Sequence, residues 1–390
     1  MAEVEIGMGK TARRAYSLDD VSIVPSRRTR DAADVDVSWE IDAYHFEVPI
    51  LASPCDSVTS PATAIQLGEL GAGGVLHLEG LWTRYDDPGP LYDEIASLSA
   101  IDATRRMQEI YREPIQPELV TRRINDIKAT GVTCAVAVTP HRTLELSEAV
   151  LGAEPDLLVI QATVVSAEHV SRTSDALNLK DFIRHYEIPV LVGGCTSYQS
   201  ALHLMRTGAA GVLVGTGSGA ASTIRDVLGA GVPLATALAD ARAARMRHLD
   251  ETGVYVHVIA DGGMTTGGDI AKAMVCGADA VMIGTPLAAA HEAPGKGWHW
   301  GIGAVHPTLP RGPRVAVEPR GTFEEILVGP SHDPDGGLNL IGALRRAISW
   351  AYCAPKSTTR QACSVGAASA SALTAGSPRC AGRDRPSAAP

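Results

Sequence analysis

Short apolar runs recur along the chain, each closed by glycine, proline or polar residues. Counted from Pro49, they cover residues 49–52, 74–78, 134–138, 157–161, 189–192, 211–214, 256–260 and 278–283. Runs this short, with no polar alternation, are what strands buried on both faces look like. Between them the apolar spacing changes to the i, i+3, i+4 rhythm of helices, at 61–70, 144–151, 179–186, 198–207, 234–250 and 270–276, with a helical pattern also from Ala167 onward. Residues 80–130 break the rhythm with a DDPGP turn and two amphipathic helices, 91–100 and 117–130. Strands alternating with helices predict a parallel sheet. Eight such units favour an α/β fold of the closed (β/α)8 TIM-barrel type over an open doubly wound sheet. The glycine clusters follow strands, which places them on the C-terminal face where barrel active sites form.

The barrel is expected as a single domain over 46–350. Residues 1–45 form a polar N-terminal extension with one short apolar stretch, 21–24. Residues 291–339, rich in Gly, Pro and Trp, read as an irregular flap, with Trp298, His299 and Trp300 beside Gly301 and Gly303 packing over something. Residues 351–390 turn to Ala, Ser, Arg and Pro, the composition of a disordered tail. Aromatic residues are only 4% of a chain that is 45% hydrophobic, so the core must be aliphatic. A net charge of −10 argues against a nucleic-acid partner. Seven cysteines without a CxxC pair read as reduced thiols. No apolar run approaches a membrane span, and the first residues carry no signal-like core, so a cytoplasmic protein is expected. No His/Asp/Glu cluster has metal-ligand spacing, so no catalytic transition metal is expected.

The densest chemistry lies in residues 256–284. There an apolar run leads into Asp261-Gly262-Gly263, then Gly267-Gly268-Asp269 with Asp269 as N-cap of the next helix. The following run ends in Gly284-Thr285. Two consecutive strand–glycine turn–helix units either hold a phosphate on their backbone N–H groups or merely close tight turns. The phosphate reading is favoured by the number of glycines at both turns. Cys55 and Cys195, at strand ends, are candidate thiolates or buried small hydrophobes. His77 is a candidate proton shuttle or a structural histidine.

Five motifs occur in an order that resembles the IMP dehydrogenase/GMP reductase family: LDDVSIVPS from Leu18, SPCDSVTS from Ser53, GTGSGAASTIRDVLGAGVP from Gly215, ADGGMTTGGDIAKAMVCGADAVMIGT from Ala260, and HEAPG followed by HWGIG. The resemblance covers about residues 16–346. Residues 80–130 are too few for the regulatory domain pair that full-length IMP dehydrogenases carry. VIQATVVSAEHVS and GPSHDPDGGLNLIGALRRA look most similar to the related proteins that lack it. The resemblance implies a purine nucleoside monophosphate held by Ser53, Cys55, Asp261, Gly262, Gly263, Gly284, Thr285, Gly301, Ile302 and Gly303. In that reading Asp261 accepts the ribose hydroxyls, and Gly301 and Gly303 present backbone groups to the purine edge. It implies NAD or NADP beside Gln161, Gly193, Gly194, Gly215 and Gly217. It further implies a potassium ion on the carbonyls of Gly217, Gly219 and Ser222, and a homotetramer.

Departures from the family pattern bear on the reaction. The nucleophilic cysteine position is Ser222, a much weaker nucleophile at neutral pH, which reads as a weak nucleophile, an inert loop residue or, the favoured reading, a phosphate contact. The threonine two positions later is Ile224, and the aspartate that contacts the nicotinamide ribose is Gln161. The flap segment has no Arg-Tyr pair of the kind IMP dehydrogenase uses to activate water. NAD-linked oxidation of IMP to XMP is the first reading, and NADPH-linked reduction of GMP to IMP the alternative. A nucleotide-binding regulatory relative without catalysis, and an FMN-dependent barrel oxidoreductase, are readings of other classes.

Overall fold

The computed structural model describes residues 3–169, 177–303, 311–330 and 336–351, with the backbone of 373–375. Eight parallel strands close a barrel: β1 (Ile50–Ala52), β2 (Gly73–His77), β3 (Ala135–Val138), β4 (Leu157–Gln161), β5 (Val190–Cys195), β6 (Gly211–Val214), β7 (His257–Asp261) and β8 (Ala280–Ile283). They pair in chain order, and β8 meets β1 with Val281 opposite Ile50. The eight apolar runs are these strands. Each had no polar alternation because one face fills the barrel and the other meets the helices.

The inner face is a small core of its own. Leu51, Val75, Ala135, Ala137, Leu157, Val159, Leu191, Leu213, Ile259, Ala280 and Met282 pack together inside the barrel. Its floor is closed by the hairpin Trp39–Ile41/Tyr44–Phe46. Trp39 stacks on Phe46 with centroids 5.1 Å apart, and its indole N–H donates to His257 Nδ1 at 3.1 Å. Burial holds His257 below the ordinary histidine range, so the ring stays neutral and able to accept that proton. The outer strand faces and the helices form the larger core.

Several local expectations are corrected. Residues 80–130 hold three helices, Gly89–Ser97, Ala100–Ile110 and Pro117–Lys128, rather than two. The extra one buries only Ala103, Met107 and Ile110, a narrow stripe at helical spacing, behind the Ser99 N-cap. The helix after β7 begins at Gly267, and its N-cap is Thr266 rather than Asp269. Thr266 Oγ1 accepts the Asp269 N–H at 3.1 Å while Asp269 accepts the Thr266 N–H at 3.2 Å, a reciprocal capping box. Residues 167–169 are not helical, and the continuation of that pattern over 170–176 lies outside the described residues. The flap region contains an antiparallel ribbon, Trp298–His299 with Val315–Ala316, and a short helix, Phe323–Leu327. The expected tail lies outside the described residues apart from Ala351, which ends the helix Leu340–Ala351, and Leu373–Ala375, which pairs antiparallel with Val21–Ile23. No described helix is long and apolar enough to cross a membrane.

Candidate active site

Strand side chains alternate with period two, so the inward positions one step beyond the barrel core face the C-terminal mouth. Those positions are Ser53 after Leu51, Thr139 after Ala137, Gln161 after Val159, Gly215 after Leu213, Asp261 after Ile259 and Gly284 after Met282. All six line a cavity of about 450 Å3. The volume lies within the usual range of small-molecule sites, about 300–1,000 Å3.

Most residues singled out from the sequence meet there: Ser53, Cys55, Gln161, Gly215, Gly217, Gly219, Ser222, Asp261, Gly262, Gly263, Gly284, Thr285, Gly301, Ile302 and Gly303. Gly193 and Gly194 do not line the cavity. A Cβ on Gly193 would sit 2.5 Å from Leu213, and one on Gly194 would sit 2.3 Å from the Gly215 carbonyl. The missing side chains at these two glycines allow β5 and β6 to approach closely. Ile224 also lines the wall. Thr139, His141, Thr163, Thr216, Ser218, Met264, His299 and Gly312 line the cavity without having been assigned to the site.

The loops after β6 and β7 are stitched together. Ser218 Oγ donates to the Asp261 carbonyl at 2.6 Å, and the Ser218–Gly219 turn lies against Gly262 and Gly263. Both glycines have positive φ, 73° and 75°, and a Cβ on Gly262 would come within 3.0 Å of the Gly219 nitrogen. Side chains there would push the two loops apart. The Asp261 carboxylate accepts the Gln161 amide at 2.8 Å. Burial pushes its pKa up to about 6 against the opposing effect of that hydrogen bond. Gln161 Oε1 is buried without a partner.

The flap is pinned to the barrel rim by two arginines. Arg311 donates to the Glu79 carbonyl at 2.9 Å, lies 3.2 Å from His77 Nδ1 and covers the Tyr111 ring at 4.2 Å. Tyr111 donates to Asp56 Oδ2 at 2.6 Å and accepts from the Trp300 indole at 2.9 Å. Arg314 covers the Trp298 ring at 3.7 Å and donates to the carbonyls of Ile95 and Leu98. His77 is therefore enclosed by this rim network and does not line the cavity. Burial and then Arg311 hold it well below the ordinary histidine range. That placement gives it a structural role rather than the shuttle role.

The sequence profile of the IMP dehydrogenase / GMP reductase domain matches residues 15–301. The chain belongs to the IMP dehydrogenase/GMP reductase family. It is 49% identical to an uncharacterized oxidoreductase of Mycolicibacterium smegmatis, over 93% of this chain and all of the relative. It is 50% identical to an uncharacterized oxidoreductase of Mycobacterium tuberculosis with the same coverage. The IMP dehydrogenase of Methanocaldococcus jannaschii is 26% identical, over 73% of this chain and 74% of that one. The crystal structure of an IMP dehydrogenase/GMP reductase-like protein from Corynebacterium glutamicum superposes with a TM-score of 0.83 at 46% identity, covering 89% of this chain and 93% of that chain.

Ser222 lies on the cavity wall, its N–H donating to the Gly219 carbonyl at 3.0 Å and its hydroxyl accepting the Ile224 N–H at 3.4 Å. Both candidate thiols are buried. Burial pushes both Cys55 and Cys195 up to about 12, and Cys195 does not line the cavity. Gln161 turns its amide toward Asp261, so a neutral side chain stands beside that carboxylate. Among the described residues, no group of three or more His, Cys, Asp or Glu is placed to hold a metal ion.

Proposed function

We propose that the cavity is the site of a purine-nucleotide oxidoreductase, with NAD-linked oxidation of IMP to XMP as its first assignment. The observation that carries this reading is the convergence, at one barrel mouth, of Asp261, the glycine loops after β6, β7 and β8, and the Gly301–Gly303 turn. Asp261 suits a ribose because an ionised carboxylate accepts from two hydroxyls. Gly262, Gly263, Gly284 and Thr285 suit a phosphate through backbone N–H groups, and the turn at Gly301, Ile302 and Gly303 suits the purine edge.

The residues fit a ribosyl cofactor on the Gln161 side, because the partnerless Gln161 Oε1 is a buried acceptor for an incoming hydroxyl. Thr139, His141, Thr163, Gly215 and Gly217 would flank it. A bound nicotinamide supplies a hydride acceptor; the purine C2 gives up hydride and takes its new oxygen from water. A potassium ion on the loop carbonyls belongs to the proposal with no step assigned to it, since Gly219 already accepts the Ser222 N–H. So do a homotetramer and a cytoplasmic location. Reduction of GMP to IMP with NADPH is the alternative within the class.

A regulatory nucleotide-binding relative is the second reading, favoured by one observation: Ser222 and Ile224 occupy the nucleophile loop while Cys55 is a buried neutral thiol. Calorimetric titration with IMP, GMP and XMP, then absorbance at 340 nm for each binder with NAD or NADPH, separates these readings. Turnover of IMP with NAD supports the first, and tight binding without hydride transfer supports the second. Failure to bind any of the three nucleotides overturns both.

A further inference from the structure

The turn Gly301-Ile302-Gly303 has little packing of its own. A Cβ on Gly301 or on Gly303 would meet no described atom within 4 Å, and Gly303 is exposed. Trp300, the residue before the turn, is by contrast buried to 1% exposure. Its ring enters a cluster whose other buried members are Leu81, Tyr92, Ile95, Met107, Ile110 and Tyr111. All six come from the helical segment between β2 and β3, so the flap side of the turn is anchored in that insertion.

The main chain of Trp300 is tied to the loop after β1, where its N–H donates to Ser57 Oγ at 3.2 Å. The indole is held from the insertion, with Nε1 2.9 Å from the Tyr111 hydroxyl. An indole N–H can only donate, so the phenol oxygen accepts and its own proton is left for another partner. Asp56 Oδ2 accepts that proton at 2.6 Å. Burial raises the Tyr111 phenol well above the ordinary tyrosine range, so it keeps the proton it donates. Asp56 belongs to the same loop as Ser53, Pro54 and Cys55, which line the cavity. It is fixed from its other side too: Oδ1 accepts the Leu81 N–H at 3.2 Å, and its carbonyl accepts the Tyr92 hydroxyl at 2.9 Å. Tyr111 in turn ends the helix Ala100–Ile110, its N–H donating to the Met107 carbonyl at 3.0 Å. One phenol on a rigid element thus bridges two walls of the cavity without lining it.

We infer that Tyr111 is a positioning residue for the purine: by bridging Asp56 and the Trp300 indole, it sets the Gly301–Gly303 turn at a fixed place relative to the loop after β1. The helix Ala100–Ile110 then belongs to the binding apparatus and acts on the ligand only through Trp300. The inference rests on the reading of that turn as the contact for the purine edge.

Calorimetry on the full chain tests it, with IMP and with ribose 5-phosphate, which lacks the base. Wild-type protein is expected to bind IMP more tightly. Tyr111→Phe keeps the ring beneath Arg311 and removes only the hydroxyl. It should lose about 3- to 10-fold of its IMP affinity, the weight of one buried hydrogen bond. Ribose 5-phosphate affinity, read by competition with IMP, should change little. Trp300→Phe removes the other end of the same bond and should lose a similar factor. The double variant should lose no more than either single one, because only one bond is broken. If Tyr111→Phe fails to fold by circular dichroism, Trp300→Phe carries the same two-ligand comparison. Unchanged IMP affinity, equal losses for the two ligands, or losses that multiply in the double variant would overturn the role of Tyr111 while leaving the purine site standing. A wild-type protein that binds ribose 5-phosphate as tightly as IMP would remove the purine contact at the turn, and this inference with it.

Discussion

At position 222 the loop after β6 presents a hydroxyl whose oxygen accepts the Ile224 N–H. A thiol in the same place titrates near pH 8.5 when unperturbed, so a useful fraction is thiolate in mild alkali, and a serine hydroxyl is not. Ser222→Cys is therefore expected to raise NAD-linked turnover of IMP by about tenfold or more at pH 8, read at 340 nm, and to leave a substrate adduct visible by intact mass. No rise in rate and no adduct would argue that the loop does not bring position 222 to the purine. Asp261 carries the opposite tension. Its folded pKa, raised to about 6, lies above the usual carboxylate value, so its contribution to stability is complete below about pH 4 and is lost as pH rises through 6. Asp261→Asn should accordingly stabilise the protein at pH 7.5 by about 1–2 kcal/mol in urea unfolding while weakening nucleotide binding. For the wild type, nucleotide affinity should fall as pH drops below 6 and the carboxylate becomes protonated. Loss of stability in Asp261→Asn would mean that the charge is better compensated than its burial implies.

At the scale of elements, the barrel was legible because each strand is an unbroken apolar run ending in a glycine or a polar residue. The mouth was legible because glycine clusters after strands have few other uses. What the sequence hid depends on partners far apart in the chain. The Gln161–Asp261 bond joins residues 100 positions apart, and the pairing of His299 with Ser57 joins residues 242 apart. A lone histidine between two tryptophans gave no sign of facing Gly284. Gly193 and Gly194 could not be read uniquely, because close strand packing and close ligand approach require the same missing side chain. The floor hairpin was missed because Trp39, Ile41 and Phe46 stand in a stretch that otherwise reads as polar. Trp39→Ala should cost about 3–5 kcal/mol of stability by opening a void under the barrel core. IMP affinity should stay unchanged, because the floor and the mouth lie at opposite ends of the strands. A variant that loses affinity while keeping its unfolding midpoint would contradict that separation.

For the whole molecule, buried histidines set the response to acid. His77, His248, His257 and His299 are all held below their ordinary range chiefly by burial. Each contributes stability that is complete above about pH 6.5 and is lost as pH falls toward its folded value, because the unfolded chain takes up the proton first. Asp56 and Asp261, raised by burial, act in the other sense. The histidines outnumber these two carboxyls, so stability should fall as pH drops from about 6.5 to 5. Thermal unfolding across that window reads the slope, and a flat or rising midpoint would show that the carboxyls dominate.

The sealed floor also bears on traffic. Trp39 and Phe46 close one end of the barrel, and the cavity lies at the other, beside the flap residues Gly301–Gly303. Two ligands sharing a blind chamber queue: the one seated deeper enters first and leaves last. If the nucleotide sits against the loops after β7 and β8 with the cofactor outside it, product release has a compulsory sequence, written by an indole at the far end of the strands.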